Sequence, residues 1–250
     1  MGLRRALFCL AFLCAAAATD PDGDARRLWS EYQQLRGTEG WQAFDRRLEI
    51  LRALGGCDGD RSRKVLLQLV RTSRSGDERL LSILSLGKIL DLDTAKELLK
   101  LVERRPEPAI AQALADALAG TKRADVTLWL GGEALDTKEP EVLGACIEAL
   151  AALKPPEATA RILAIYQGST DVDILFEATR ALGGIGGPGA RAALRCSAAH
   201  PDFRVRLAAA EMLPARAAGD EEMIAAVRAL LGDAEPCVRR AAAAASGAAG

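Results

Sequence analysis

Leucine recurs every 32 residues along most of the chain. Leu54, Leu86, Leu118, Leu150 and Leu182 hold that spacing, and Leu213 and Ser246 follow at intervals of 31 and 33. A fixed period of this length means that one small supersecondary unit is repeated and stacked, because a single unit cannot bury its own apolar face. The residues around each leucine keep the same register. Eight positions earlier stand Ile110, Val142, Ile174, Val205 and Val238. One position earlier stand Ala53, Ser85, Ala117, Ala149, Ala181 and Ala245, and one position later Gly55, Gly87, Ala119, Ala151, Gly183 and Gly247.

Each unit reads as two helices. The segment Asp202–Leu213 runs into its anchor leucine with apolar or small residues at positions −8, −5, −4, −1 and 0, the i, i+3, i+4, i+7 pattern of a buried helical stripe. Asp45, Asp77, Glu141 and Asp173 stand at the openings of such helices, where a carboxylate can cap amides or face the positive dipole end. A turn rich in Gly or Pro follows each anchor. A second helix then carries its own stripe, as in Val65/Leu66/Leu69/Val70, Ala95/Leu98/Leu99/Val102, Ala158/Ile162/Leu163/Ile165 and Met223/Ile224/Val227/Leu230/Leu231. Composition agrees: half of the residues are hydrophobic but only 4% aromatic, so the core is built of Ala, Leu, Val and Ile. Ala and Leu lose little freedom in a helix, and Ala lets helix backbones approach closely. No alternating strand pattern with a hairpin turn is present.

Val205-Arg206-Leu207-Ala208-Ala209 and Val238-Arg239-Arg240-Ala241-Ala242, each after a turn bearing Asp or Pro, resemble the VRxAA core of HEAT repeats. The short period is closest to the phycobilisome-lyase-like HEAT subgroup. The resemblance covers about residues 40–250. It implies an all-α, right-handed α-solenoid of about six to seven helix pairs, with the VRxAA helices on the concave side. The arginine of the motif stands at Arg206 and Arg239, whereas Ala111, Leu143 and Leu175 replace it in the middle repeats.

The domain reading is three-part. Residues 1–18 read as a secretory signal peptide: Arg4 and Arg5, then an apolar run of 13 residues from Ala6 to Ala18, then Asp20-Pro21-Asp22. Ala16 and Ala18 suit cleavage after Ala18, and the run is shorter than the roughly 20 residues a membrane span needs. A lipoprotein reading of Cys14 meets bulky Phe12 and Leu13 where small residues belong. Residues 19–39 read as an N-terminal cap, an amphipathic helix with Leu28, Trp29, Tyr32 and Leu35 on one face. Residues 40–250 are the repeats, the last of which reads as half a unit. Export places the protein in a secreted or periplasmic compartment.

Little chemistry is visible. Gly184-Ile185-Gly186-Gly187-Pro188-Gly189 satisfies the dinucleotide pattern G-x-G-x-x-G, but it follows a helix in an inter-helix turn and opens no βαβ unit. His200 is the single histidine and sits in a polar turn, which leaves no His-rich metal site and no paired His-Glu steps of the HEAT-fold di-iron hydroxylases. Cys57, Cys146, Cys196 and Cys237 form no C-x-x-C pair, and Cys146 occupies a position suited to a small buried hydrophobe. Asp171 and Asp173 are explained by helix capping. No catalytic residue, cofactor or metal is therefore expected, and the chain reads as a non-enzyme. The net charge of −1, from 33 basic and 34 acidic residues, gives no basic face for nucleic acid or an anionic membrane.

The clearest functional pattern lies two residues before each anchor: Arg52, Leu84, Asp116, Glu148, Arg180 and Glu211. Charged residues at one helical position, between apolar neighbours, face solvent. On the orientation that the resemblance implies they line the concave groove, with Phe176 and Glu177 one turn back. Arg180 is the sharpest candidate, because its guanidinium can grip a partner's carboxylate with two hydrogen bonds. Such a ladder suits a peptide or protein partner better than a phosphate, and it also suits a solvated helix face. The expected function is an exported interaction scaffold. The alternative is a lyase or chaperone-lyase subunit, which the resemblance to bilin-attaching HEAT-like proteins implies.

Overall fold

The computed structural model describes residues 20–248; the expected signal peptide and its cleavage site lie outside them. Fourteen α-helices follow one another among these residues, with no strand: α1 (Pro21–Leu35), α2 (Trp41–Leu54), α3 (Asp60–Thr72), α4 (Gly76–Leu86), α5 (Leu92–Glu103), α6 (Pro108–Ala119), α7 (Ala124–Leu130), α8 (Pro140–Leu153), α9 (Thr159–Gly168), α10 (Val172–Ile185), α11 (Pro188–Ala198), α12 (Phe203–Met212), α13 (Glu221–Leu231) and α14 (Pro236–Ala248). They sort into seven antiparallel pairs stacked side by side, and the protein is an α-solenoid. The even-numbered helices carry the anchor leucines and form one row, each packed on the next; the odd-numbered helices form the other. Helix α1 packs on α2 and α3, so it takes the first place in the odd row and α13 with α14 makes a complete final pair.

The two rows differ in spacing. Even-row neighbours touch along much of their length, whereas odd-row neighbours touch sparsely. A curved stack brings its inner row closer together, so the even row is concave. Its small residues allow this approach: Ala113, Ala117, Ala145, Ala149, Ala178, Ala181, Ala208 and Ala209 are all buried. The six anchor leucines from Leu54 to Leu213 are fully enclosed, and the −8 residues from Ile110 to Val238 are buried with them. That is the register the periodicity predicts.

The glycine after an anchor has a physical reason. A Cβ on Gly55 would lie 2.8 Å from the Ser85 carbonyl oxygen, and one on Gly87 would lie 2.7 Å from the Ala117 Cα. Ser85 and Ala117 are the −1 residues of the following repeats, so each glycine is the seat for the next anchor helix. Gly55 and Gly87 keep right-handed dihedrals. Positive φ appears instead at Gly186 (92°) and Gly187 (102°), which turn the chain from α10 into α11. The G-x-G-x-x-G match is therefore a turn, as expected.

Helix starts refine the reading of the acidic residues. Caps include Ser75, which accepts from the Glu78 amide, Asp171, which accepts from those of Asp173 and Ile174, and Asp202, which accepts from that of Arg204. Asp77 and Asp173 lie just inside, in the first turn, where they face the helix dipole. His200 occupies its turn as a structural acceptor: Nδ1 takes the Asp202 amide at 3.1 Å. Cys146 is fully buried, and burial pushes its thiol up to about 12, so it behaves as an inert small hydrophobe. The four described cysteines are free thiols.

Candidate functional site

The concave face carries a groove of about 660 Å³ across α6, α8, α10 and α12. Its origin can be read from a single column, six residues before each anchor leucine. That column holds Leu48, Leu80, Gln112, Gly144, Phe176 and Leu207. Gly144 is the only member without a side chain, and it leaves a gap between Gln112 on α6 and Phe176 on α10. Ala111, Ala145, Ile174 and Leu207 supply apolar walls, with Pro108 and Pro140 at one rim.

The groove is acidic. Glu141, Glu148, Asp171, Asp173 and Glu177 line it, against one guanidinium, that of Arg204. Several of these groups are already engaged. Arg204 Nη1 donates to Asp173 at 2.6 Å, Asp171 caps α10, and Gln112 Nε2 donates to Glu148 Oε1 at 3.0 Å. Glu177 is different. Its side chain is 19% exposed, and its Oε2 is buried without a hydrogen-bond partner. Burial pushes its pKa up to about 7; Arg180 opposes this, while Glu148, Glu211 and Asp173 add to it.

Arg180 lies over this carboxylate. Its guanidinium is 3.5 Å from Glu177 Oε2 and 3.7 Å from Glu211 Oε2, with its Cζ 5.7 Å from the centroid of the Phe176 ring. Its Nε is buried and unbonded. The expectation that Arg180 stands free to grip a partner's carboxylate needs correction: two carboxylates and an aromatic ring already surround it. Glu177 also departs from the solvent-facing position expected of it. It stands five residues before its anchor, in a column that is Leu81, Ala113, Ala145 and Ala208 in other repeats and an exposed Glu49 in the first. Among the middle repeats Glu177 is the one carboxylate of that otherwise apolar column.

The remaining ladder residues divide. Glu148 lines the groove and Glu211 flanks it through Arg180. Arg52 and Asp116 are exposed and outside the groove lining. Sequence reasoning placed Leu207 in the Phe176 column but missed Gly144, Gln112 and Arg204; the missing side chain in the −6 column was the available signal.

A second polar column lies seven residues before each anchor, one position from the motif valine. Arg206 donates to Asp233 at 2.7 and 3.1 Å. Two further rungs escape a reading by motif: Arg47 reaches Glu78 at 2.8 Å, and Arg79 forks onto Glu107 with two bonds of 3.0 Å. In the middle the same column is Ala111, Leu143 and Leu175, and the groove lies over that interruption.

Comparison with known proteins agrees with this architecture. The HEAT repeat model matches residues 127–214 and 159–247. Residues 127–247 are HEAT-like repeats. No curated protein matches its sequence. Similar solved structures include human deoxyhypusine hydroxylase in complex with glycerol, 19% identical, with a TM-score of 0.43 over 92% of this chain and 96% of that one. An engineered protein is 20% identical, with a TM-score of 0.45 over 87% of this chain and 67% of that one. The complex of CpcE and CpcF of phycocyanin lyase from Nostoc sp. is 17% identical, with a TM-score of 0.40 over 95% and 97%. These are likenesses of fold. They correct one expectation: two of the three are enzymes, so a non-enzyme reading of the chain does not follow from its helical-repeat architecture.

Proposed function

We propose that the chain is an exported interaction scaffold that holds a peptide or protein partner along its concave face. The observation that carries this reading is the groove across four consecutive concave helices, where apolar walls border Glu177 and the atoms Glu177 Oε2 and Arg180 Nε are buried without a hydrogen bond. Buried polar atoms are nearly always bonded, and an exception calls for an explanation. An apolar cleft with a few convergent polar groups is the usual form of a binding site. HEAT repeats also suit protein interaction, because stacking them yields an extended concave surface. Among the described residues no helix is long and apolar enough to cross a membrane.

The test is a cross-linked pull-down from the exported fraction with the wild-type chain and Phe176→Ala. A partner captured by the wild type and lost with the variant supports the reading. Identical capture by both sinks it. Export rests on the charged, apolar and Ala-rich order of residues 1–18; the mature chain should begin near Thr19, and N-terminal sequencing that returned Met1 from envelope protein would overturn that part.

A further inference from the structure

We infer that the concave groove selects a basic side chain, the arginine or lysine of an extended partner segment, and seats it in the gap at Gly144 against Glu177. The inference deepens the interaction reading above and rests on it.

Charge complementarity decides the class of occupant. An anionic segment would enter a groove where carboxylates outnumber guanidinium groups by five to one. Arg180, the next nearest cation, is held between Glu177 and Glu211 and stacked on Phe176. A cationic guest meets the opposite situation. Glu148 and Glu177 flank the gap, and Glu177 Oε2 has no hydrogen bond of its own to give up. A charge-assisted bond from a guest's N–H would supply the missing partner. Burial raises the pKa of Glu177 to about 7, with the charges of Glu148, Glu211 and Asp173 adding to it, and a guest cation would oppose that rise as Arg180 does.

The space is of the right kind. Every other −6 position from Leu48 to Leu207 carries Leu, Gln or Phe, and Gly144 alone opens the row. A Cβ there would meet only the Ile174 Cδ1, at 3.9 Å, so packing does not demand a glycine. Phe176 and Leu207 on one side and Ala111 on the other can hold the aliphatic stem of a long cationic side chain, which covers apolar surface while its head stays polar.

Four acetylated and amidated pentapeptides of sequence Ala-Leu-Xaa-Leu-Ala, with Arg, Lys, Gln or Glu at the centre, make the test. Each is titrated into the full chain while the backbone amide resonances of α8 and α10 are followed. The Arg or Lys peptide should bind at least about ten-fold tighter than the Gln peptide and shift the Gly144 and Glu177 amides. Glu177→Gln should remove that preference, and Gly144→Leu should abolish binding with helix content and thermal midpoint retained. Equal or better binding of the Gln or Glu peptide overturns the inference, as does the absence of binding up to millimolar peptide or shifts confined to other helices. Its failure is separable from that of the scaffold reading. If no peptide preference appears but Gly144→Leu and Phe176→Ala still lose the captured partner, only the basic-residue claim falls. If both variants capture the partner normally, the scaffold reading falls as well.

Discussion

At the N-terminal end, Arg47 crosses a repeat boundary to Glu78; in the middle, Glu177 and Arg180 face each other without a hydrogen bond. Glu78 accepts from Arg47 Nε, the Tyr32 hydroxyl and the Ser73 hydroxyl, all within 2.8 Å. Burial pushes its carboxyl up, but those three donors outweigh burial and hold it below the usual carboxylate range. Glu177, at a comparable depth, has one incomplete ion pair and three carboxylates nearby, and its pKa goes the other way. The same residue type in the same stack thus serves two ends. Full satisfaction makes Glu78 a structural rung, whereas partial satisfaction leaves Glu177 with bonding capacity to offer. The lost arginine rungs at Ala111, Leu143 and Leu175 mark where the stack changes from one use to the other. Apolar contacts, joined by exposed bonds such as Gln112 to Glu148 and Arg204 to Asp173, hold those middle repeats together, and the concave surface above them is released from the ladder.

If that division is right, the middle repeats depend most on their leucines. Leu150→Ala should destabilise by about 4 kcal/mol, in the upper part of the range for buried leucines, because the anchor is fully enclosed between neighbouring repeats. Chemical denaturation measures it. A change within about 0.5 kcal/mol would mean the anchors are not the core. The end repeats should depend on their network: Glu78→Ala should cost about 3 kcal/mol, since it strands Arg47 and two hydroxyls in a half-buried site. A loss no larger than that of an exposed pair would put the two regions on the same footing.

Glu177 should respond with the opposite sign. The folded state holds its proton up to about pH 7, whereas the unfolded chain releases it near the ordinary 4.5. The wild type therefore loses stability as pH rises through that window, the direction expected of a carboxyl whose folded pKa is raised. Arg180 and Asp173 on α10, Glu148 on α8 and Glu211 on α12 are the charges that face it. Glu177→Gln should stabilise by about 1–2 kcal/mol at pH 8, solvent screening included, and by almost nothing at pH 5. Thermal midpoints at the two pH values check this. A destabilised variant at pH 8 would make Glu177 a rung like Glu78.

Much of the fold is legible in the order of residues alone. The period of 32 places all six anchor leucines in the core, and the helix pairs follow from it. The frame is not legible: α1 reads as a separate cap because its sequence lacks an anchor, yet it packs on α2 and α3 as the other odd helices pack on their neighbours. The ladder two residues before each anchor points to the concave face, but not to the contacts its members make there. Periodicity reports which way a position points, but not what lies across the gap from it, and Arg180 meets Glu211 only through the stacking of α10 on α12. Charge alone makes Glu177 read as exposed, although its column is apolar in four other repeats. The −6 glycine stands in plain view, but a missing side chain has meaning only once its neighbours are placed in a row.

That glycine gives the finest test of the comparison. Gly in a helix interior is less stable than Ala by about 0.5–1 kcal/mol, because it loses more backbone freedom on folding. Gly87 repays this by letting Ala117 approach, and an alanine there would force its Cβ to 2.7 Å from the Ala117 Cα. Nothing comparable faces Gly144, whose added Cβ would make one ordinary contact at 3.9 Å. Gly144→Ala should therefore stabilise the fold by about 0.5–1 kcal/mol, and Gly87→Ala should destabilise it. Paired denaturation curves give both signs at once. If Gly144→Ala also destabilises, the residue belongs to the packing of α8 on α10, and the groove is a by-product of that packing. If the signs differ as expected, folding does not explain the glycine, and the open space it creates is the property left to explain it.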